Sequence, residues 1–327
     1  MNYRKFPKLG KTVSEVGLGC WQIGGDCWGD ISENKALDIL NAAVDAGVNC
    51  LDTADVYGAG RSEEFIGQFI KSRQEKLFVA TKLGRRDHIF PNQFTEDNLR
   101  GSLQDSLGRL DIPVIQLAQL HCPPTEILKE GRVFDIMNQM KAEGLIQHWG
   151  VSVESMEEAF ICLNQEGCSS LQIILNIFRQ KPIGTLFQAA KEKEVGLIVR
   201  LPLASGLLSG KMTLAQNFPE NDHRRFNCDG QLFNVGETFA GLPYPKGVEL
   251  ADQVKRILPD DTPMAQSAIR WILDHDAVTT VIPGASSVEQ ALSNSNASDL
   301  PSLSESTHRD LQKLYEEEVK DHIRGPY

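Results

Sequence analysis

The stretch GVNCLDTADVYGAGRSEEFIG, residues 47–67, joins an apolar run to an amphipathic segment through a polar, glycine-rich connection. The apolar run ends at Asp52, and Ser62 followed by two glutamates has the composition of a helix start, since serine caps helices and acidic residues favour the helix N-terminus. Asp52 and Tyr57 are therefore predicted to lie in or beside the loop between a strand and a helix. Functional residues concentrate in such loops.

The same order of elements recurs along the whole chain. Short runs rich in Val, Ile and Leu predict eight strands, which begin at Val16, Gly47, Leu77, Val114, Ile146, Leu171, Gly196 and Val278. Helical periodicity predicts helices over 32–46, 62–70, 95–107, 133–142, 155–164, 183–194, 248–258, 264–275 and 287–297. Strands that are almost continuously apolar are typical of a parallel sheet covered on both faces. Eight such units predict an α/β fold, a closed (β/α)8 TIM barrel, in a single domain spanning residues 1–327.

An open, doubly wound parallel sheet is the alternative architecture. Such a sheet normally carries a GxGxxG turn after its first strand, and GLGCWQIGGD at 17–26 does not match that pattern. Three additions interrupt the barrel pattern: a predicted hairpin before Val16, a long loop over 210–247 after the seventh strand, and a helical tail from Ser304.

The composition argues against several classes of partner. The formal net charge of -11 and the pI near 5.2 disfavour nucleic acid or an acidic membrane surface. No apolar run reaches the roughly 20 residues of a membrane span, and the first residues lack the apolar core of a signal peptide. The cysteines are dispersed without a CxxC pair, which predicts reduced thiols and no metal site: Cys20, Cys27, Cys50, Cys122, Cys162, Cys168 and Cys228. We therefore expect a cytoplasmic protein.

Polar residues stand where most of the predicted strands end. Because barrel enzymes place their active sites at the C-terminal ends of the strands, these side chains are expected to meet in one mouth. They are Asp52, Tyr57 in the following loop, Lys82, His121, Ser152, Gln172 and Arg200.

The first four of these residues form a chemically consistent set. A buried lysine beside a tyrosine lowers the phenol pKa, and an aspartate beside the lysine keeps it charged. A phenol of near-neutral pKa can protonate a carbonyl oxygen that a histidine holds in line. Asp52, Tyr57, Lys82 and His121 therefore suit the hydride reduction of an aldehyde or ketone.

Motifs spread over nearly the whole chain resemble those of the aldo-keto reductase superfamily. They are GLGCWQIGG from 17, GVNCLDTADVYGAGRSEEFIG from 47, VATKLG from 79, IQLAQLHCP from 115, GLIQHWGVS from 144, RLPLASGLLSGK from 200 and VIPGASSVEQALSN from 281. The resemblance implies that Tyr57 is the general acid, that Lys82 and Asp52 tune it, and that His121 orients the carbonyl. The chain resembles long bacterial-type members, and its cofactor loop is similar to that of the channel beta-subunit-like branch.

A hydride donor is needed, and the sequence shows neither metal-ligand clusters nor a flavin signature, which favours a nicotinamide nucleotide. In the family this cofactor lies across the barrel mouth without a Rossmann turn. The resemblance implies that Ser152 and Gln172 hold the carboxamide, while Arg200 replaces the aromatic residue that many members stack on the nicotinamide. The implied pyrophosphate loop contributes Pro202, Leu203, Ser205, Gly206, Leu208 and Lys211. Trp21, Asp52 and Gly284 are further implied cofactor contacts.

Selection of NADP over NAD depends on the group that meets the ribose 2'-phosphate. Many relatives supply Arg or Lys after the Pro-Gly turn, whereas this chain offers Ser286 and Gln290 there, with Asn294 placed for the adenine. A helix opening at Ser287 would add backbone N–H groups. NDHRRF in the long loop offers Arg224 or Arg225. NADP(H) is therefore favoured, and NAD(H) stays open.

The substrate is not readable beyond a small carbonyl compound. Several aromatic residues have two possible roles: they either form an apolar rim of the substrate pocket or only pack the long loop against the barrel. They are Trp21, Trp28, Phe90, Phe218, Phe226, Phe233 and Phe239. A nicotinamide-binding regulatory or partner-binding protein with slow catalysis is the alternative function. A phosphate-binding isomerase or aldolase with Lys82 as Schiff base is disfavoured, because Asp52 and Tyr57 would then share no task. The oligomeric state is not predicted.

Overall fold

A computed structural model of the protein describes residues 1–25, 28 and 31–327. Cys27, one of the predicted reduced thiols, lies outside the described residues. Within the described part the strands are β1 (Tyr3–Phe6), β2 (Lys11–Ser14), β3 (Leu18–Gly19), β4 (Cys50–Asp52), β5 (Phe78–Leu83), β6 (Ile115–His121), β7 (Ile146–Ser152), β8 (Cys168–Ile174), β9 (Gly196–Arg200) and β10 (Val278–Val281).

The helices of the described part alternate with these strands. They are α1 (Glu33–Asp45), α2 (Arg61–Ser72), α3 (Glu96–Leu110), α4 (Thr125–Glu130), α5 (Arg132–Ala142), α6 (Met156–Leu163), α7 (Lys181–Thr185), α8 (Phe187–Glu192), α9 (His223–Phe226), α10 (Tyr244–Ile257), α11 (Met264–Leu273), α12 (Val288–Asn296) and α13 (Glu305–Leu314).

Strands β3 to β10 form one parallel sheet in chain order. Its two edges meet, since parallel bridges join Val16 to Val281 and Gly19 to Gly284, and the Gly17 amide donates to the Val281 carbonyl at 2.8 Å. The predicted (β/α)8 barrel is therefore confirmed, and the open sheet is excluded. No helix of the described residues is both long and apolar enough to cross a membrane.

The predicted N-terminal hairpin is present as antiparallel strands β1 and β2. Phe6 and Val13 from the hairpin are fully buried and share an apolar cluster with Phe78, Leu117 and Ile198 of the barrel strands. This cluster fills the end of the barrel at which the strands begin. The opposite end is left for the polar residues that follow the strands.

Helix starts agree with the sequence at five serine or threonine caps, of which Ser287 and Ser304 begin α12 and α13, and the prediction at Ser62 is wrong. Ser32, Thr95 and Ser155 accept hydrogen bonds from the first turns of α1, α3 and α6. Ser62 does not cap α2, because the helix begins at Arg61 and Gly60 takes the cap position with a φ of 105°. The Ser62 hydroxyl instead donates to the Cys20 carbonyl at 2.8 Å and bonds the Thr53 hydroxyl.

The helix predicted over 183–194 is two short helices, α7 and α8. They are separated at Leu186, whose side chain is fully buried. Periodicity alone misses this break, because the buried positions of the two helices still follow one another at helical spacing. α4 was not predicted either, and it is a single short turn-like helix before α5.

The long loop and the tail both pack on the barrel. The loop contains α9 and two 3-10 turns, and the tail continues α13 through a π turn over Tyr315–Val319. Arg324 of the tail donates to the carbonyls of Gly241 and Leu242 and pairs with Asp229. The tail therefore braces the loop that borders the barrel mouth.

Candidate functional site

A cleft of about 1420 Å³ opens at the C-terminal ends of the barrel strands. It exceeds the usual range for a small ligand and suits a long molecule together with a smaller one. Three of the four predicted catalytic residues line it: Asp52, Tyr57 and His121. Lys82 lies directly beneath.

Lys82 and Asp52 form a buried ion pair at the base of the cleft. Both side chains are at most 3% exposed, and the Lys82 ammonium also donates to the Thr53 carbonyl at 2.8 Å. Burial by itself lowers the pKa of Lys82, but the Asp52 carboxylate and the Tyr57 hydroxyl more than offset this, and the pKa lies above its ordinary value. The lysine is therefore charged, as predicted.

Two amide side chains hold the second carboxylate oxygen of Asp52. Gln119 on β6 donates to Asp52 Oδ2 at 3.1 Å, and Gln172 on β8 donates to the same atom at 2.8 Å. We call Asp52, Lys82, Gln119 and Gln172 the lysine cluster. Gln119 was missed by the sequence analysis, although it stands two positions before His121 and so shares its strand face.

Tyr57 lies in a tight turn above the lysine cluster. The Lys82 ammonium is 4.9 Å from the centroid of its ring. Gly58 has a φ of 62°, and a Cβ there would meet the Gly24 carbonyl oxygen at 2.2 Å, so glycine is required next to the tyrosine. Burial raises the pKa of Tyr57 more than Lys82 lowers it. The predicted lowering of the phenol pKa is therefore wrong, and the hydroxyl keeps its proton at neutral pH.

His121 ends β6 and packs edge-on against Tyr57, with ring centroids 5.9 Å apart. Burial, and then the cations of Arg85, Lys82 and Arg200, hold the pKa of His121 well below its usual range. The imidazole is therefore neutral. Its Nδ1 is buried without a hydrogen-bond partner among the described residues.

Asp55 is a further acidic residue that the sequence analysis did not single out. It is buried in the turn before Tyr57, accepts from the Ser102 hydroxyl at 2.5 Å, and is bonded by Arg86 at 3.3 Å. Burial raises its pKa to about 6. These contacts tie the tyrosine turn to α3 and to the loop after β5.

The residues predicted to contact a cofactor extend along one side of the cleft. All of them line it except Ser152 and Leu208. Ser152 is buried at the end of β7, where its hydroxyl lies 3.4 Å from the Cys122 sulfur, and Leu208 packs in the core. Gln172 uses its amide nitrogen on Asp52, which leaves its oxygen for a ligand.

The loop after β9 carries Pro202, Leu203, Ser205, Gly206 and Lys211 into the cleft. Its backbone is tightly turned, with left-handed residues at Leu201, Ala204, Ser205 and Gly206. The Ser205 hydroxyl accepts from the Phe239 amide at 3.1 Å and donates to the Glu237 carbonyl at 3.2 Å. Ser205 therefore fastens this loop to the long loop.

The far end of the cleft is formed by the start of α12. Ser287 caps the helix through the Gln290 amide, and the Gln290 side-chain oxygen accepts from both the amide and the hydroxyl of Ser286. Asn294 donates to the Gly284 carbonyl at 3.1 Å. Glu289 also lines this end and adds a negative charge.

Arg224 lines the cleft but is already paired. It makes a bidentate contact with Asp222 at 2.9 and 2.6 Å, and its guanidinium lies over the rings of Trp28 and Phe218. Arg225 points elsewhere and pairs with Glu220 at 3.0 Å. Of the two arginines offered by the sequence, the cleft contains Arg224.

The aromatic residues divide between the two roles that the sequence left open. Trp21, Trp28 and Phe233 line the cleft, and Trp21 stacks on Tyr57 with centroids 5.8 Å apart. His223, a buried residue that was not predicted, packs on Trp21 and Trp28 at 5.0 and 4.4 Å. The others are not in the cleft lining: Phe90, Phe218, Phe226 and Phe239.

Arg200 belongs to a second charged group beside His121. It pairs with Glu237 at 3.4 Å, and Arg85 pairs with the same carboxylate at 3.0 Å. A carboxyl oxygen of Glu154 lies within 4.8 Å of one of Glu237. We call Arg85, Arg200, Glu154 and Glu237 the arginine cluster. Only Arg200 was predicted, because the other three follow strands or lie in the long loop, where no periodicity marks them.

Comparison with known proteins identifies the group to which this architecture is similar. The model of the Aldo/keto reductase family matches residues 15–316. Aldo-keto reductase YhdN of Bacillus subtilis is 27% identical over 331 residues, with 100% of this chain and 97% of that protein covered.

Two further likenesses point to particular branches. A probable voltage-gated potassium channel subunit beta of Oryza sativa is 29% identical over 321 residues, with 92% of each chain covered. The solved structure of aldo-keto reductase AKR11C1 from Bacillus halodurans in its holo form is 27% identical, covers 96% of each chain and superposes with a TM-score of 0.77.

Proposed function

The chain belongs to the aldo/keto reductase family and is an oxidoreductase, and on that premise we propose that it reduces aldehydes and ketones to alcohols with NADPH, using Tyr57 as the general acid. The resemblance read from the sequence motifs is confirmed. The cytoplasmic location stays a prediction.

One observation carries the proposal: a protonated phenol, a charged lysine and a neutral imidazole converge at one point of the cleft. Tyr57 is 4.9 Å from the Lys82 ammonium, measured to the ring centroid, and 5.9 Å from His121 between ring centroids. A carbonyl oxygen placed between the phenol and the imidazole meets a proton donor and a positioning group at once. Both are required as negative charge develops on that oxygen.

Lys82 supports the proton transfer through charge. As Tyr57 gives up its proton, the ammonium stabilises the phenolate that forms. The Asp52 carboxylate keeps the lysine protonated, and Gln119 and Gln172 keep Asp52 in place. The lysine cluster therefore assists a proton donor without itself touching the carbonyl.

His121 acts as a neutral hydrogen-bonding group. Because burial, together with the nearby cations, keeps its pKa low, it does not compete with Tyr57 as an acid at neutral pH. Its neutral ring has one N–H donor and one acceptor nitrogen, and either can fix a bound carbonyl group or alcohol.

The residues of the cleft fit a nicotinamide dinucleotide. When bound, such a cofactor supplies the hydride. The Gln172 oxygen and the Nε of Arg200, which is buried and has no hydrogen-bond partner among the described residues, are polar groups for the ring end. The loop over Pro202–Lys211 and the start of α12 would hold the phosphates and adenosine. Lys211 and Ser286 favour NADP(H), whereas Glu289 and the pairing of Arg224 with Asp222 leave room for NAD(H).

A second candidate function follows from the likeness to the rice channel subunit. A regulatory, nicotinamide-binding protein with slow turnover would keep the same cleft and bind a protein partner. It would bind NADPH without oxidising it when carbonyls are added, which separates the two candidates directly.

The test is Tyr57→Phe compared with Tyr3→Phe, an exposed tyrosine that bonds the Gly47 carbonyl far from the cleft. We expect wild type and Tyr3→Phe to oxidise NADPH in the presence of a reactive aromatic aldehyde. Tyr57→Phe should bind NADPH with unchanged affinity by fluorescence titration and lose roughly 10²- to 10⁴-fold in kcat. Equal turnover by Tyr57→Phe would remove the tyrosine from the mechanism.

A further inference from the structure

The part of the cleft around Tyr57 has one aromatic wall and one cationic wall. Trp21 stacks on Tyr57 at 5.8 Å, and Phe233 meets Trp21 edge-on at 6.3 Å. The Arg85 guanidinium lies over the Phe233 ring at 5.5 Å and, after burial, is the next cause of the lowered pKa of His121. Arg85 therefore completes a ring of side chains around the place where a carbonyl substrate would lie.

Arg85 differs from Arg86 and Arg224, two other arginines of the cleft, in how its charge is paired. Arg86 hydrogen-bonds to Asp55 and lies 3.7 Å from Asp105. Arg224 makes a bidentate contact with the carboxylate of Asp222. Arg85 instead shares a single carboxylate, that of Glu237, with Arg200. Two guanidinium groups on one carboxylate leave one positive charge in excess.

Glu154 does not cancel this excess. Its carboxyl oxygen lies within 4.8 Å of a carboxyl oxygen of Glu237, so ionising both acids would place two like charges side by side. Burial and the negative charge of Glu237 raise the pKa of Glu154 to about 8, whereas Arg85 and Arg200 outweigh burial and lower that of Glu237 to about 2. Glu154 is therefore mostly neutral at pH 7.

A metal ion is a poor occupant for this place. Ligand atoms of Cys122, Glu154 and Glu237 lie within 4.8 Å of one another. Two guanidinium groups already contact Glu237, however, and burial raises the pKa of the Cys122 thiol to about 12. A net positive cluster that borders a cleft selects an anion.

We propose that the enzyme prefers carbonyl substrates that also carry a carboxylate, and that Arg85 binds this carboxylate while Tyr57 and His121 hold the carbonyl oxygen. Among the described residues Arg85 donates one hydrogen bond, from Nη1 to Glu237 at 3.0 Å, so its remaining N–H groups can meet a carboxylate in the fork geometry that guanidinium favours. The aromatic wall would cover the carbon skeleton between the two groups. This inference rests on the proposed reductase function.

The test compares 4-formylbenzoate with its methyl ester, which has the same aldehyde but no charge. Initial rates with NADPH should give wild type a kcat/KM for the acid about tenfold above that for the ester. Arg85→Gln should abolish this preference, so that kcat/KM for the acid falls about tenfold further than kcat/KM for the ester. Arg100→Gln, which removes a charge that pairs with Glu96 and Glu143 outside the cleft, should keep the preference.

A binding measurement separates this inference from the reductase function. Benzoate and benzamide cannot be reduced under these conditions, and Trp21 and Trp28 in the cleft report binding by fluorescence of the NADP-saturated protein. Benzoate should bind about tenfold more tightly than benzamide in wild type and equally in Arg85→Gln. Such binding without turnover of either aldehyde would overturn the reductase function and leave the carboxylate site standing.

Other outcomes bear on the proposal directly. Equal use of acid and ester by wild type, or a preference that survives in Arg85→Gln, would overturn it. Retained reduction of the ester shows that Arg85→Gln is folded. If that variant does not fold, Arg85→Lys keeps the charge but not the fork, and it should retain only part of the preference; full retention by the lysine variant would overturn the role of the guanidinium fork.

Discussion

The lysine cluster is buried and the arginine cluster is partly buried beside His121, and the two are built from different parts of the chain. The members of the lysine cluster lie on β4, β5, β6 and β8, where parallel pairing aligns their backbones. The arginine cluster takes only Arg200 from a strand; Arg85 and Glu154 lie in loops, and Glu237 lies in the long loop.

Their charge balance differs in the same way. The lysine cluster pairs one cation with one anion, and two neutral amides satisfy the remaining carboxylate oxygen. The arginine cluster holds two cations against one ionised acid. The electrically neutral ion pair on rigid strands is suited to assisting proton transfer, which every carbonyl substrate needs. The net positive group on loops is suited to recognising a charge on a particular substrate.

The largest expected effect comes from breaking the lysine cluster with Lys82→Met. Loss of the ammonium leaves Tyr57 without the group that stabilises its phenolate, and kcat for aldehyde reduction should fall roughly 10²-fold or more. The variant also leaves the Asp52 carboxylate buried and unpaired, which should cost about 3–5 kcal/mol of stability in urea unfolding.

The double variant Asp52→Asn with Lys82→Met distinguishes these two losses. Removing both charges should recover most of the stability, because no unpaired ion remains, while kcat stays low. Recovery of kcat together with stability would mean that Lys82 serves only the fold.

Three of the four residues of the lysine cluster could be predicted from the sequence, and the reason is the geometry of the barrel. In a parallel barrel the carboxyl ends of neighbouring strands lie side by side, so Asp52, Lys82, His121 and Gln172 could be placed together from their positions after apolar runs. Gln119 could have been included, since alternation puts it on the face of His121. The sign of the lysine's effect on Tyr57 was also predictable, but the larger effect of burial was not.

The arginine cluster was not predictable, because its contacts depend on how loops pack. Glu237 stands in a segment without hydrophobic periodicity, and no spacing links it to Arg85 or Arg200. The wrong prediction of Ser62 as a helix cap has the same cause. The neighbouring residues favour a cap, but in the fold the Ser62 hydroxyl bonds to Cys20 and Thr53. Local sequence patterns therefore predict the strands and the residues at their ends, whereas the contacts of loop residues depend on tertiary packing.

A smaller effect is expected from Glu154→Gln, which tests whether Glu154 keeps its proton in the arginine cluster. Because the folded-state pKa of Glu154 is about 8, above its unfolded value near 4.3, the wild type loses stability as pH rises between these values. Glutamine does not ionise, so the variant's stability relative to wild type should be greater at pH 8 than at pH 5. Urea unfolding at both pH values measures the difference.

Glu157→Gln is the matched control for that experiment. Glu157 is exposed on α6 and pairs with Lys129 at 3.0 Å, so its substitution should change stability about equally at the two pH values. A pH-independent difference for Glu154→Gln as well would show that Glu154 is ionised in the folded protein, and the excess positive charge inferred for the arginine cluster would disappear.

The smallest effect is expected from Ser155→Ala, which loosens the support of Glu154 without removing a charge. Ser155 caps α6, and Glu158 completes the capping box by accepting from the amides of Ser155 and Glu154 at 3.3 and 2.8 Å. Loss of the cap should cost about 1 kcal/mol in urea unfolding. Glu158 still holds the Glu154 amide, so the preference for 4-formylbenzoate over its ester should persist. If the preference for 4-formylbenzoate decreased in Ser155→Ala, the arginine cluster would depend on the exact position of the loop before α6. The lysine cluster, whose residues lie on strands, has no such dependence.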